Sequence, residues 1–148
     1  MSSNTLELTA TSRIEELSAI AEQTAAFLER AGCIPNTVFA IQFALEELFA
    51  NIVSYAFVGD DDAGSGTHSI AIRLEQDPAG FTLTLEDDGT SFDPLSAPVP
   101  DTSLPIDQRP IGGLGLFITQ RLASSIQYRR TNGKNRVTVR FISPIEEA

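Results

Sequence analysis

Apolar residues recur along the chain with two distinct periods, and these place most of its elements. Residues 5–10 fit a short edge strand. Thr11 or Ser12 is suited to cap a helix that runs to about Ala31, where Gly32 is a good stop. Inside it Ile14, Leu17, Ile20, Ala21, Thr24 and Leu28 recur at helical spacing. A second helix is predicted from Pro35 or Asn36 to about Phe57. Val38, Ile41, Leu45, Leu48, Ile52 and Tyr55 form its stripe, and Phe39, Phe49, Val53 and Phe57 widen the apolar surface. So hydrophobic a helix belongs in a domain interior.

The period then changes from helical to alternating. Ile70, Ile72 and Leu74 share one face of a strand, and Phe81, Leu83 and Leu85 share a face of the next, with a turn at Asp77-Pro78-Ala79-Gly80. A third helix is predicted from Gly113–Gly115 to about Ser125. Two last strands, near residues 126–130 and 136–142, are joined by Asn132-Gly133, a strong hairpin signal. Residues 90–112 hold five of the eight prolines, which reads as a lid or a disordered loop. The pattern predicts one α+β domain with helices on one face of a mostly antiparallel sheet.

Composition narrows the partners. A chain of 148 residues fits one domain, and 42% hydrophobic residues can fill a core. Twenty acidic residues against 10 basic ones give a net charge of −10, a field that repels nucleic acid and anionic membranes. An anionic ligand such as ATP then needs a metal ion and local donors. The single cysteine, Cys33, excludes an intrachain disulfide and suits a reducing compartment. The N-terminal stretch lacks the basic and apolar regions of a signal peptide. No unbroken apolar run is long enough for a membrane span, so a cytoplasmic location is expected.

Three segments carry candidate chemistry. Glu47 and Asn51 stand four residues apart on one helix face, at the edge of the apolar stripe. They are a solvated rim, an internal Glu–Asn bond, or a metal and base site. In the last case Asn51 offers a neutral oxygen to Mg²⁺ and Glu47 accepts a hydroxyl proton. Glu46 competes for the base role but points about 100° away. Asp87 continues the inward face of Phe81, Leu83 and Leu85, as a ligand acceptor or as a cap on a backbone turn. Gly113-Leu114-Gly115-Leu116 opens an apolar helix where backbone N–H groups can meet phosphate, unless it is only a tight turn. It is neither a P-loop nor a dinucleotide fingerprint. Asn135 shares the parity of Val137, Val139 and Phe141 and so faces inward or serves the hairpin. Arg109 either reaches a γ-phosphate or is solvated. His68 begins a strand with no catalytic role expected.

In this order the segments resemble the N, G1 and G2 boxes of the GHKL ATPases. Glu47-Leu48-Phe49-Ala50-Asn51 is similar to the N box, Asp87-Asp88-Gly89 to the G1 box and Gly113-Leu114-Gly115 to the G2 box. Asp88-Gly89-Thr90-Ser91-Phe92-Asp93-Pro94 and Arg109-Pro110-Ile111-Gly112-Gly113-Leu114-Gly115 resemble the RsbW-like anti-sigma-factor serine kinases. The resemblance implies a two-layer Bergerat fold with an ATP lid. It implies Glu47 as general base, Asn51 on Mg²⁺, and Asp87 with Gly89 at adenine. Gly113, Leu114, Gly115 and Leu116 would meet the phosphates, with Arg109 and Asn135 as further ATP contacts. It also implies two protein partners, a sigma factor and a STAS-domain protein phosphorylated on serine, and allows a homodimer. Two positions depart from the pattern: Ser91 replaces the second G1 glycine, and Asn135-Arg136 stands where relatives have Gly-Thr. A nucleotide-gated binding module without kinase activity is the alternative.

Overall fold

The computed structural model describes residues 4–57, 68–91, 93–96 and 113–143, without the side chains of residues 96, 113 and 114. Five strands form one sheet: β1 (Asn4–Thr11), β2 (Ser69–Asp77), β3 (Gly80–Asp87), β4 (Ser125–Thr131) and β5 (Lys134–Ile142). Their spatial order is β1-β2-β3-β5-β4, antiparallel at every pairing. Three helices, α1 (Leu17–Arg30), α2 (Pro35–Asn51) and α3 (Gly113–Leu122), complete the α+β architecture.

Strand parity decides which face is covered. Ile70, Ile72, Leu74, Phe81, Leu83, Leu85, Val137, Val139 and Phe141 all lie in the core. Their alternates, among them Arg73, Glu75, Thr82, Glu86 and Arg136, face away from it. α2 supplies the facing layer: Ile41, Ala44, Leu45 and Phe49 have 0% exposure. Burying each large apolar side chain stabilises the fold by about 1.5–3 kcal/mol. Pro35–Ala56, at 22 residues, is long and apolar enough to cross a membrane by composition, yet this stretch is the core helix against the sheet.

The local signals explain the ends of elements. α1 stops in a Schellman motif: Gly32 has φ +72°, the Cys33 N–H donates to Leu28 O and the Gly32 N–H to Glu29 O. Asn132 and Gly133 both have positive φ, 54° and 75°, the geometry of a two-residue type I′ hairpin. At the other hairpin Asp77 Oδ1 accepts from Ala79 and Gly80 N–H, and Arg140 clamps both Asp77 oxygens.

Three expectations fail in detail. Thr11 and Ser12 do not cap α1. The Ser12 N–H is bound to His68 O, extending the strand, and the Glu16 carboxylate instead reaches back to the Thr11 amide and hydroxyl. Ile14 and Phe39, assigned to apolar surfaces, are 45% and 60% exposed, while Phe27, Thr37, Ala40 and Ala44, outside the predicted stripes, are buried. Third, α2 passes at Ile52–Ala56 into a π turn, which hydrophobic periodicity did not reveal.

Candidate nucleotide site

The polar candidates gather at one end of the sheet and along α2. Glu47 and Asn51 lie on the last turns of α2, both half-buried. Neither side chain has a hydrogen bond or ion pair with described residues, so the internal Glu–Asn bond is not formed. Glu46 is exposed. A Cβ added to Gly115 would overlap the Glu47 carboxylate, so α2 and α3 meet where only glycine leaves room for it. Burial, assisted by repulsion from Glu46, holds the Glu47 carboxyl above its ordinary value.

The second group forms at the ends of β3 and β5. Asp87 and Asn135 are register partners, 4% and 3% exposed. Asp87 Oδ1 accepts from the Gly89 N–H at 2.8 Å and from Asn135 Nδ2 at 3.0 Å. The turn-capping reading of Asp87 therefore holds for Oδ1. Asp87 Oδ2 has no partner among the described residues and is not sealed from solvent. Burial raises the Asp87 pKa and Asp88 adds to the rise. The Asn135 and Gly89 hydrogen bonds and the nearby Arg130 charge oppose it.

Gly89 is held by the end of α2. A Cβ there would strike the Ala56 carbonyl, while Thr90 donates to that carbonyl from its N–H at 2.8 Å and its hydroxyl at 3.1 Å. From Glu47 to Ala56 is about 13 Å along the helix axis, a separation suited to the two ends of a nucleoside triphosphate. Gly113 and Leu114 open α3. The Leu116 side chain is core, 6% exposed. Arg109 and most of the lid, residues 92 and 97–112, fall outside the described residues. His68 precedes β2, stacks on Phe57 with ring centroids 4.2 Å apart and lies 3.7 Å from Asp88.

Two residues escaped the sequence reading. Tyr128 Oη donates to Asn135 Oδ1, and Arg130 Nη1 donates to the same oxygen and to Gly89 O, both at 3.0 Å. The signal was present: with the hairpin register set by Asn132-Gly133, Tyr128 and Arg130 fall opposite Val137 and Asn135 on the inner face.

The donor set suits magnesium and a triphosphate. No three His, Cys, Asp or Glu side chains cluster among the described residues, so these residues form no protein cage for a metal. Mg²⁺ needs no cage, since it takes one or two protein oxygens and fills its octahedron with water and phosphate. Asn51 leaves such an oxygen unengaged among the described residues.

A two-layer sandwich with these groups at one end of its sheet defines a GHKL-type ATPase domain. A family model for the histidine kinase-like ATPase domain matches residues 10–141, and the chain belongs to that family. It is 29% identical over 101 residues to the serine/threonine-protein kinase BtrW of Bordetella bronchiseptica, covering 68% of each chain. It is 27% identical over 143 residues to the serine-protein kinase RsbW of Halalkalibacterium halodurans, covering 93% of this chain and 83% of that one. A solved structure of the RsbU and RsbW domains of a Mycobacterium tuberculosis protein superposes over 95% of this chain, with a TM-score of 0.61 and 16% identity. The chain spans 33% of that structure.

Proposed function

We propose that this chain is a serine protein kinase that acts as an anti-sigma factor, transferring the γ-phosphoryl group of Mg-ATP to a serine on a STAS-domain partner. The observation that carries the reading is the Glu47 carboxylate, unpaired among the described residues and fitted against Gly115 at the start of α3. Similarity to named serine kinases supports it.

In this reading Asp87 Oδ2 accepts a hydrogen bond from the exocyclic amine of adenine. Backbone N–H groups of Gly113–Leu116 hold phosphate oxygens at the helix N-terminus. Asn51 Oδ1 is the protein ligand to magnesium, which neutralises charge on the triphosphate. Glu47 takes the proton of the serine hydroxyl as its oxygen bonds to the γ-phosphorus and the β–γ bridging bond breaks, leaving ADP. A carboxyl raised by burial is a better proton acceptor than an ordinary one. Such transfers rest on positioning and charge stabilisation.

The test is phosphorylation of a STAS-domain protein from the same organism, read by mass spectrometry. Glu47→Gln is expected to abolish the phosphoserine while sparing most ATP binding. Full transfer by Glu47→Gln would defeat the base assignment. Nucleotide-dependent binding of a sigma factor with no phosphoserine on any partner would instead favour a binding module.

A further inference from the structure

We propose that Tyr128 and Arg130, acting through Asn135, set the purine selectivity of the pocket by fixing the hydrogen-bonding face that Asp87 presents. This rests on the nucleotide reading of the site and extends it to two residues that touch no nucleotide themselves.

The side-chain amide of Asn135 has two orientations, and its neighbours decide between them. Arg130 can only donate, and its Nη1 lies 3.0 Å from one amide atom, which must therefore be the oxygen. Tyr128 Oη donates to the same atom. The nitrogen is thereby turned to two acceptors, Asp87 Oδ1 at 3.0 Å and Thr90 O at 2.7 Å. A flipped amide would set its oxygen against both acceptors and its N–H₂ against both donors. Arg130 also donates to Gly89 O at 3.0 Å, and Thr90 is tied to Ala56 O. The turn that follows Asp87 is thus held from β4, from β5 and from the end of α2.

The consequence falls on Asp87. Its Oδ1 is engaged by the Gly89 N–H and by Asn135. Only Oδ2 is left, and an ionised carboxylate oxygen can only accept. The pocket is thereby committed to a base that brings a donor to that point, as the amino group of adenine does. Without the Tyr128 and Arg130 donors the Asn135 oxygen loses both of those bonds, the amide is held less tightly against Asp87 Oδ1, and the aim of Oδ2 loosens. The Ser91 hydroxyl lies 3.5 Å from Tyr128 Oη, so the start of the lid segment abuts the same network.

The experiment compares ATP with purine riboside triphosphate, which lacks only the exocyclic amino group, by titration calorimetry. The wild-type chain is expected to prefer ATP by about tenfold or more, the effect of one hydrogen bond to a charged acceptor. Tyr128→Phe and Arg130→Met should each shrink that preference, and together shrink it further, with most of the loss in ATP affinity. Arg130→Lys should restore part of it, since an ammonium can still donate to Asn135 Oδ1. An unchanged ratio would overturn the proposal even if both affinities fell together, because a merely structural role weakens both ligands alike. Should the double variant fail to fold, Tyr128→Phe, which removes one hydroxyl, carries the test alone. A wild-type chain that binds neither nucleotide would instead remove the reading of the site, and this inference with it.

Discussion

Replacing Gly115 by alanine should cost little stability and most of the phosphoryl transfer. The new Cβ would occupy the space of the Glu47 carboxyl carbon and oxygens. Those atoms are the far end of a flexible side chain, so Glu47 can swing aside for about 0.5–1.5 kcal/mol of rotamer strain. Alanine repays up to about 1 kcal/mol in helix propensity over glycine. The two nearly cancel, and Tm should move by no more than about 3 °C. Function has no such compensation. A displaced general base typically forfeits about 10²–10⁴ in rate. Single-turnover transfer from labelled ATP to the STAS partner would be measured for Gly115→Ala, Glu47→Ala and the double variant. If Gly115 acts by seating Glu47, the double variant is no slower than Glu47→Ala, since there is then no carboxylate to displace. A double variant slowed by the product of the two single effects would refute the reasoning and assign Gly115 an independent role. A Tm drop of more than about 10 °C would refute the claim that the obstacle is mobile.

Gly89→Ala should behave in the opposite way. Its Cβ meets the backbone carbonyl of Ala56, which cannot rotate aside, so a loss of about 1–3 kcal/mol is expected in urea melts. Asp87→Asn separates stability from binding. Burial raises the Asp87 pKa in the fold from its usual 3.8, so the stability this group contributes is complete below that value and is lost as pH rises through the folded value. The asparagine variant should therefore show a flatter stability profile on the acid side, no loss of stability at neutral pH, and weaker ATP binding. Asn51→Ala, which removes no hydrogen bond to a described residue, should leave stability within about 0.5 kcal/mol while raising the Mg²⁺ concentration needed for half-maximal ATP binding.

Much of the fold was legible because its signals are local. Alternation gave the inward faces of β2, β3 and β5, and Gly32 and Asn132-Gly133 marked a helix stop and a hairpin that the structure forms with positive φ. The capping of α1 was not legible, because the Ser12 N–H is claimed by the carbonyl of His68, distant in sequence and just before β2. The exposure of Phe39 escaped for a related reason: periodicity identifies an apolar surface but not the boundary where its neighbours stop covering it. At the site, parity placed Asp87 and Asn135 on the inner face, and the structure makes them register partners. Tyr128 and Arg130 needed one further step, the transfer of hairpin register from β5 to β4.

The π turn explains how a helix and a strand end can share one site. In a continuous α-helix Ala56, five residues beyond Asn51, would sit about 140° away from it around the axis. The looser turn at Ile52–Ala56 advances less per residue and keeps Ala56 nearer the line of Glu47 and Asn51. It also ends the helix there, leaving the Ala56 carbonyl to be met from outside, by the Thr90 N–H and hydroxyl. That contact brings the turn after Asp87 against the helix, and the closeness admits no side chain at residue 89. One backbone irregularity thus joins the strand end that carries Asp87 to the helix that carries Glu47 and Asn51. Such turns recur at functional sites because aligning two elements at a ligand is otherwise a matter of chance.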